Sequence, residues 1–195
     1  AKLVANFDDP DIGAVTCRNV PRPDAEVLTK IFSATDPGYV EGRCEVRLPD
    51  AEAYAAMGPH EKRLLYNFND VAAAYRRDLW ERHPFPRTNF GEDILMARAF
   101  LEAGFTVVYD DEATVEHSHD YDAEETEERA AIDAAFNAEW LDRICVGSAK
   151  DAEVLTDRLS AEDAAALEAQ GFQWEELARL VAQGRALRSA AFTGL

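Results

Sequence analysis

The stretch Gly91-Glu92-Asp93-Ile94-Leu95-Met96-Ala97-Arg98-Ala99-Phe100-Leu101-Glu102-Ala103-Gly104-Phe105-Thr106-Val107-Val108-Tyr109 decides how the rest of the chain is read. Apolar residues recur at helical spacing from Glu92 to Ala103, with Ile94, Leu95, Ala99 and Leu101 on or beside one face, and Gly104 stands at the stop position. Phe105 to Tyr109 then reads as a strand, and Thr114 to His117 as a second, short one after an acidic turn. The pattern is α/β.

Working upstream, Leu64-Leu65-Tyr66-Asn67-Phe68 reads as a short buried strand. Asn69-Asp70 is placed to cap a helix through Tyr75-Arg76-Arg77 to Trp80, broken by His83-Pro84-Phe85-Pro86. From Asp24 to Lys62 the pattern is mixed, with breakers at Pro37-Gly38, Pro49 and Gly58-Pro59. Ile12 to Val20 is a strand ended by Pro21-Arg22-Pro23, and Ala1 to Phe7 reads as the tail of a helix stopped by Asp8-Asp9-Pro10. Downstream of Tyr121 the character changes to all-helical. An acidic run (Asp120, Asp122, Glu124, Glu125, Glu127, Glu128) leads into a helix with Ile132, Phe136, Trp140 and Ile144 at spacing four. Helical stretches at about 149–169 and 173–190 follow, and Ser160 with Asp163 resembles a capping box. The expected organisation is therefore an α/β part over residues 1–121 and a helical region over 122–195.

The 195 residues carry 20 Lys+Arg against 38 Asp+Glu, a formal charge of −18, with 47% hydrophobic and 10% aromatic residues. That composition is globular, and the chain is long enough for one core plus an appendage. An acidic chain of this kind, with a pI of about 4.5, lacks the basic face that nucleic-acid binding needs. No apolar run reaches the ~20 residues of a membrane span. Only Lys2, Lys30, Lys62 and Lys150 are lysines. An acid-rich, lysine-poor surface suits a high-salt cytoplasm, and a GC-rich genome produces the same bias. Cys17, Cys44 and Cys145 are far apart and form no Cys-x-x-Cys pair, which fits a reducing compartment.

Two constellations carry potential chemistry. Glu92 and Asp93 open a helix, where free amides and the dipole favour ionised carboxylates, and an ionised, fixed Asp can act as a general base. The plainer reading is that both only complement the dipole. In Glu116-His117-Ser118-His119 a persisting strand would turn His117 and His119 to one face, where two imidazoles could bind a divalent metal. The plainer reading is two polar residues at a strand end. Asp9-Pro10-Asp11 suits a turn, and Asp120-Tyr121-Asp122 a helix entry, better than a metal cradle. There is no Gly-rich phosphate loop, nucleophile elbow or zinc spacing.

Taken in order, Asp9-Pro10-Asp11-Ile12-Gly13-Ala14-Val15, Pro21-Arg22-Pro23-Asp24, Phe68-Asn69-Asp70-Val71 through Tyr75-Arg76-Arg77, Trp80, Pro84-Phe85, Gly91-Glu92-Asp93, Glu102-Ala103-Gly104-Phe105, Val108-Tyr109 and Ala113 to His119 resemble the C-terminal half of a family-2 glycosyltransferase. The rhamnosyltransferase-like members are most similar, and the resemblance covers about residues 1–121. It implies the second half of a GT-A fold and an inverting transfer from a nucleotide-sugar donor to a saccharide or lipid-linked acceptor. Asp93 would be the catalytic base and Glu92 its flanking carboxylate. Asn69, Asp70, Arg76 and Arg77 would face the acceptor, although two arginines on a helix equally suit a solvated face. His117, with His119 as second choice, would complete the coordination of Mg²⁺ or Mn²⁺ on the donor diphosphate.

The resemblance also implies that the donor-binding half, with its Asp-x-Asp metal motif, precedes this segment, so that the chain alone is not expected to be competent for transfer. A cytoplasmic location follows, with contact at the inner face of the membrane, and the C-terminal helices are candidates for pairing between copies. Two rival readings remain: a non-catalytic binding or assembly module that keeps the fold, and a small metal-dependent hydrolase using His117, His119 and nearby acids.

Overall fold

The computed structural model describes residues 2–34 and 41–193. The breaker Pro37-Gly38 lies outside them. By its internal contacts the chain divides into an α/β unit, Ala1–Val20 with Pro37–His117, and a helical unit, Pro21–Asp36 with Ser118–Leu195. The change of character expected near residue 121 thus has its counterpart between His117 and Ser118, and an early segment joins the helical unit.

The α/β unit holds a four-stranded mixed sheet in the order β2-β4-β1-β3. Its centre is β1 (Ile12–Val20) beside β4 (Thr106–Glu116) in parallel, with Val15 opposite Val108. The short strands β2 (Cys44–Val46) and β3 (Ala73–Tyr75) close the two edges, antiparallel to β4 and β1 respectively. Ile12, Val15 and Val108 are buried with Leu3 and Phe7, which come from helix α1 (Lys2–Ala5) and the 3-10 turn Asn6–Asp8. A Cβ on Gly13 would meet Phe100, Leu79 and Phe105 at 3.0–3.1 Å. Only glycine lets the helices that carry Leu79 and Phe100 approach the sheet this closely.

Beyond β1 come α2 (Val27–Ala34), α3 (Ala51–Ala56) and α4 (Pro59–Leu65). The strand expected at Leu64–Phe68 is instead the end of α4, with Leu64 exposed and Tyr66 and Phe68 buried. Gly58 precedes Pro59 at the first helical position, and Glu61 accepts a hydrogen bond from the Gly58 amide at 2.7 Å. These start signals outweigh a short apolar run. The helix expected to run from Asn69 to Trp80 divides into β3 and a one-turn α5 (Arg77–Arg82). Pairing of Ala73, Ala74 and Tyr75 with β1 overrides the helical propensity of the alanines. α6 (Glu92–Glu102) ends at Gly104, whose positive φ of 89° suits a glycine.

The two strands expected at 105–109 and 114–117 are one, β4. Its acidic middle is a bulge: Cys17 pairs with Asp110 and the next residue, Arg18, with Thr114. Asp110 holds the bulge by accepting hydrogen bonds from the Glu112 amide (3.2 Å) and the Asn6 side chain (2.7 Å).

The helical unit comprises α2, α7 (Ala123–Leu141), α8 (Ala149–Ala169) and α9 (Trp174–Thr193). Asp122 and Glu125 form a capping box on α7, and Ser148 caps α8. Leu28, Ile31, Leu167 and Leu180 are buried together. The stripe at spacing four is core only at Phe136. Ile144 lies past the end of α7 and is 81% exposed, while Ile132 and Trp140 are partly open to solvent. Ser160 and Asp163 are not a capping box; both are buried within α8, and Asp163 pairs with Arg188. No helix among the described residues is long and apolar enough to cross a membrane.

Candidate functional site

Phe100, near the C-terminal end of α6, packs by Gly13 at the start of β1. The first turn of α6 is coupled to Asp70, whose neighbour Asn69 is bonded to Thr16 and Asn19 of β1. Gly91 precedes the helix with φ 73°, and Glu92 and Asp93 follow it in the first turn, both half-buried.

The structure reverses the expected effect on Asp93. Its Oδ1 accepts a hydrogen bond from the Ile94 amide at 2.8 Å. Burial, reinforced by the carboxylates of Asp70 and Glu92, outweighs that amide and the Arg63 cation and pushes the carboxyl up to about 6. Asp70 is raised too, by burial and then by Glu92. The phenol of Tyr75 is raised by burial and by Asp70, Asp93 and Glu92. Three carboxylates and a phenol thus share one region, with the Arg63 cation acting on Asp93. A helix dipole acting through one turn is the smaller effect here.

Of the acceptor candidates, Asn69 and Asp70 lie in the loop between α4 and β3. The Thr16 hydroxyl donates to the Asn69 carbonyl at 2.6 Å, and the Asn19 amide donates to Asn69 Oδ1 at 3.3 Å. Arg76 is engaged with backbone: it donates to the Ile12 carbonyl at 2.9 Å and the Asp9 carbonyl at 2.8 Å, with its guanidinium 5.4 Å from the Phe7 ring centre. Arg77 is exposed and pairs with Glu81 one turn on.

The histidines are not placed as strand neighbours. β4 ends at Glu116, so strand alternation does not reach Ser118 or His119. His117 continues the ladder by one bond from its amide to the Val20 carbonyl, 2.9 Å, in the α/β unit. His119 belongs to the helical unit, where its ring stacks on Tyr121 at 5.1 Å. Among the described residues no three His, Cys, Asp or Glu side chains are grouped to hold a metal. Asp9 accepts from the Asp11 amide at 2.8 Å, a turn contact. Asp120 accepts from the Glu26 amide and from Arg22, at 2.9 and 3.0 Å.

Sequence reasoning missed Tyr75 and Arg63. A three-residue strand is too short to display alternation, and Arg63 falls between the mixed stretch that ends at Lys62 and the segment read as a strand from Leu64. A cleft of about 460 Å³ in the α/β unit is lined by Lys2, Leu3, Ala73, Glu112 and Thr114 among others and does not include Asp93. The carboxylates, rather than this cleft, identify the candidate site.

Over 148 residues, 72% of this chain, the sequence is 32% identical to the O-antigen chain rhamnosyltransferase RfbN of Salmonella typhimurium, of which it covers 43%. It is 29% identical over 146 residues to the O-antigen chain rhamnosyltransferase WbaN of Salmonella anatum, covering 73% of this chain and 44% of that one. The chain spans less than half the length of these curated relatives. No protein-family model matches it, and no solved structure gives a significant match. The two similarities support a relationship to the glycosyltransferases.

Proposed function

We propose that this chain carries the acceptor side of an inverting glycosyltransferase domain of the GT-A type, with Asp93 as its base. The observation that carries the reading is Asp93 itself, a half-buried carboxyl at the opening of α6 that is pushed up to about 6. Such a group is mostly ionised at pH 7, yet holds a proton more firmly than an ordinary carboxylate. The acceptor hydroxyl gives its proton to Asp93 as its oxygen attacks the anomeric carbon of a nucleotide-activated sugar. The bond from that carbon to the diphosphate oxygen breaks on the opposite face, and its electron pair leaves with the nucleoside diphosphate. Glu92 and Asp70 supply acceptors for the sugar's other hydroxyls, and Asn69 supports the loop. Arg76, engaged with backbone carbonyls, and Arg77, in solvent, are assigned no contact.

In this reading the donated sugar is a rhamnosyl group, as the names of the two relatives suggest, and the acceptor is a saccharide or lipid-linked chain met on the cytoplasmic side of a membrane. A divalent Mg²⁺ or Mn²⁺ is implied by the resemblance. This chain's described residues form no metal site, so His117 and His119 are given no step.

The test is rhamnosyl transfer from a nucleotide-activated donor to an oligosaccharide acceptor, measured in a longer protein that joins this chain to the donor-binding half the resemblance implies. Asp93→Asn is expected to lower turnover by roughly 10²–10⁴-fold while calorimetric affinity for the nucleoside diphosphate stays unchanged. Undiminished turnover would remove Asp93 from its role. A wild-type protein with neither turnover nor nucleotide binding would favour the non-catalytic module.

A further inference from the structure

We propose that Thr16 is a positioning residue for Asp93: its hydroxyl latches Asn69 and so keeps the Asp70 carboxylate beside the Glu92–Asp93 pair. Thr16 is 3% exposed, at the middle of β1. Its Oγ1 donates to the Asn69 carbonyl at 2.6 Å and lies 3.4 Å from Asn69 Oδ1, the same oxygen that the Asn19 side chain reaches. A hydroxyl buried in a strand has no solvent to turn to, so its one good partner is a firm anchor. The loop between α4 and β3 is thereby hung on β1 at Asn69, and the next residue is Asp70.

The groups that act on Asp93 come from several elements: Glu92 from its own helix, Asp70 from the latched loop, and Arg63 from α4. The Tyr75 phenol on β3 is affected by the same carboxylates, and its buried oxygen has no hydrogen-bond partner among the described residues. Of the two like charges on Asp93, only Asp70 stands on a loop that can move away. Releasing it removes a repulsion that favours the protonated carboxyl and lets water nearer, and both changes lower the proton affinity of Asp93. The meaning of this device for catalysis rests on the reading of Asp93 as the base. Its test reads the carboxyl directly, so it fails or holds independently of whether the chain transfers sugar.

The experiment is a pH titration of the Asp93 carboxyl carbon by ¹³C NMR in the whole chain. Thr16→Val keeps the shape of the side chain and removes the hydroxyl. The Asp93 midpoint is expected to fall by about half a unit or more toward the ordinary carboxylate range, and Thr16→Ser is expected to titrate as wild type. Asn69→Ala, at a partly exposed position, should shift the midpoint in the same direction without disturbing the buried strand. Asp70→Asn should lower it at least as far as Thr16→Val. A merely structural Thr16 would lower the unfolding temperature and leave the midpoint alone. Folded Thr16→Val and Asn69→Ala proteins that titrate as wild type overturn the proposal, as does an Asp70→Asn protein with an unmoved midpoint.

Discussion

Two recessed aspartates, one in each unit, are treated in opposite ways. Asp163 in the helical unit is 2% exposed and faces Arg188 through two hydrogen bonds, Nη2 to Oδ1 at 2.8 Å and Nε to Oδ2 at 3.0 Å. The same guanidinium lies 4.1 Å from the centre of the Phe32 ring, so one arginine joins α2, α8 and α9. Asp93 in the α/β unit is less buried, yet it has only a backbone amide and the field of Arg63, against two carboxylates. Where the fold needs a rigid joint, the buried charge is matched by a fork of donors. At Asp93 the charge is left under-compensated, and this appears as raised proton affinity.

The same substitution should therefore have opposite signs in the two units. Asp163→Asn leaves Arg188 without its counter-charge and is expected to cost about 3 kcal/mol, the lower end for a broken buried pair because Arg188 keeps some exposure. Urea unfolding at pH 7 measures it, and a loss below that of an ordinary surface substitution would erase the contrast.

Asp93→Asn should do the reverse at neutral pH. A carboxyl raised in the folded state contributes stability that is fully present below its unfolded value near 4 and is lost as pH rises through about 6. Above pH 7 the asparagine protein is thus expected to be the more stable by about 1 kcal/mol, a figure discounted for the partial exposure of the site. Near pH 4 the two should converge. Paired denaturation curves at pH 4 and pH 7.5 check the sign, and a destabilised Asp93→Asn at pH 7.5 would mean that the charge is compensated after all.

The smallest effect sharpens the scale. Arg77 pairs with Glu81 at 2.9 Å with 88% of its side chain exposed, so Arg77→Ala should leave the unfolding midpoint where it is. A clear drop would show that surface pairs in this acidic chain do more than screened pairs usually do.

Local patterns were legible where one element satisfies itself. The run Ile12–Val20 has the length and residue types of a strand, and β1 occupies those residues. The stop at Gly104 marks a helix end that the structure keeps. The Glu92–Asp93 pair was legible as a candidate because it stands in a first turn behind a glycine. Its proton affinity was not, since the neighbours that raise it arrive from a distant loop and from burial.

Ala73-Ala74-Tyr75 shows the limit. Its propensity is helical, and only hydrogen bonding to Ala14, Val15 and Thr16 makes it a strand. The acidic stretch Asp110–Glu112 reads as a turn until its pairing with β1 reveals a bulge held by Asn6. His117 and His119 look like strand neighbours until the strand stops at Glu116.

What the amino-acid order settled was the strand over Ile12–Val20, the helix from Glu92 to its stop at Gly104, the all-helical character of the C-terminal part and the residues able to do acid–base chemistry. Those depend on interactions within a few positions along the chain. Tertiary structure alone decided which strand pairs with which, that Thr16 reaches Asn69, and that Asp93 is crowded by carboxylates instead of eased by its helix. Burial and charge act through space, and their balance at any residue exists only once distant segments have come together.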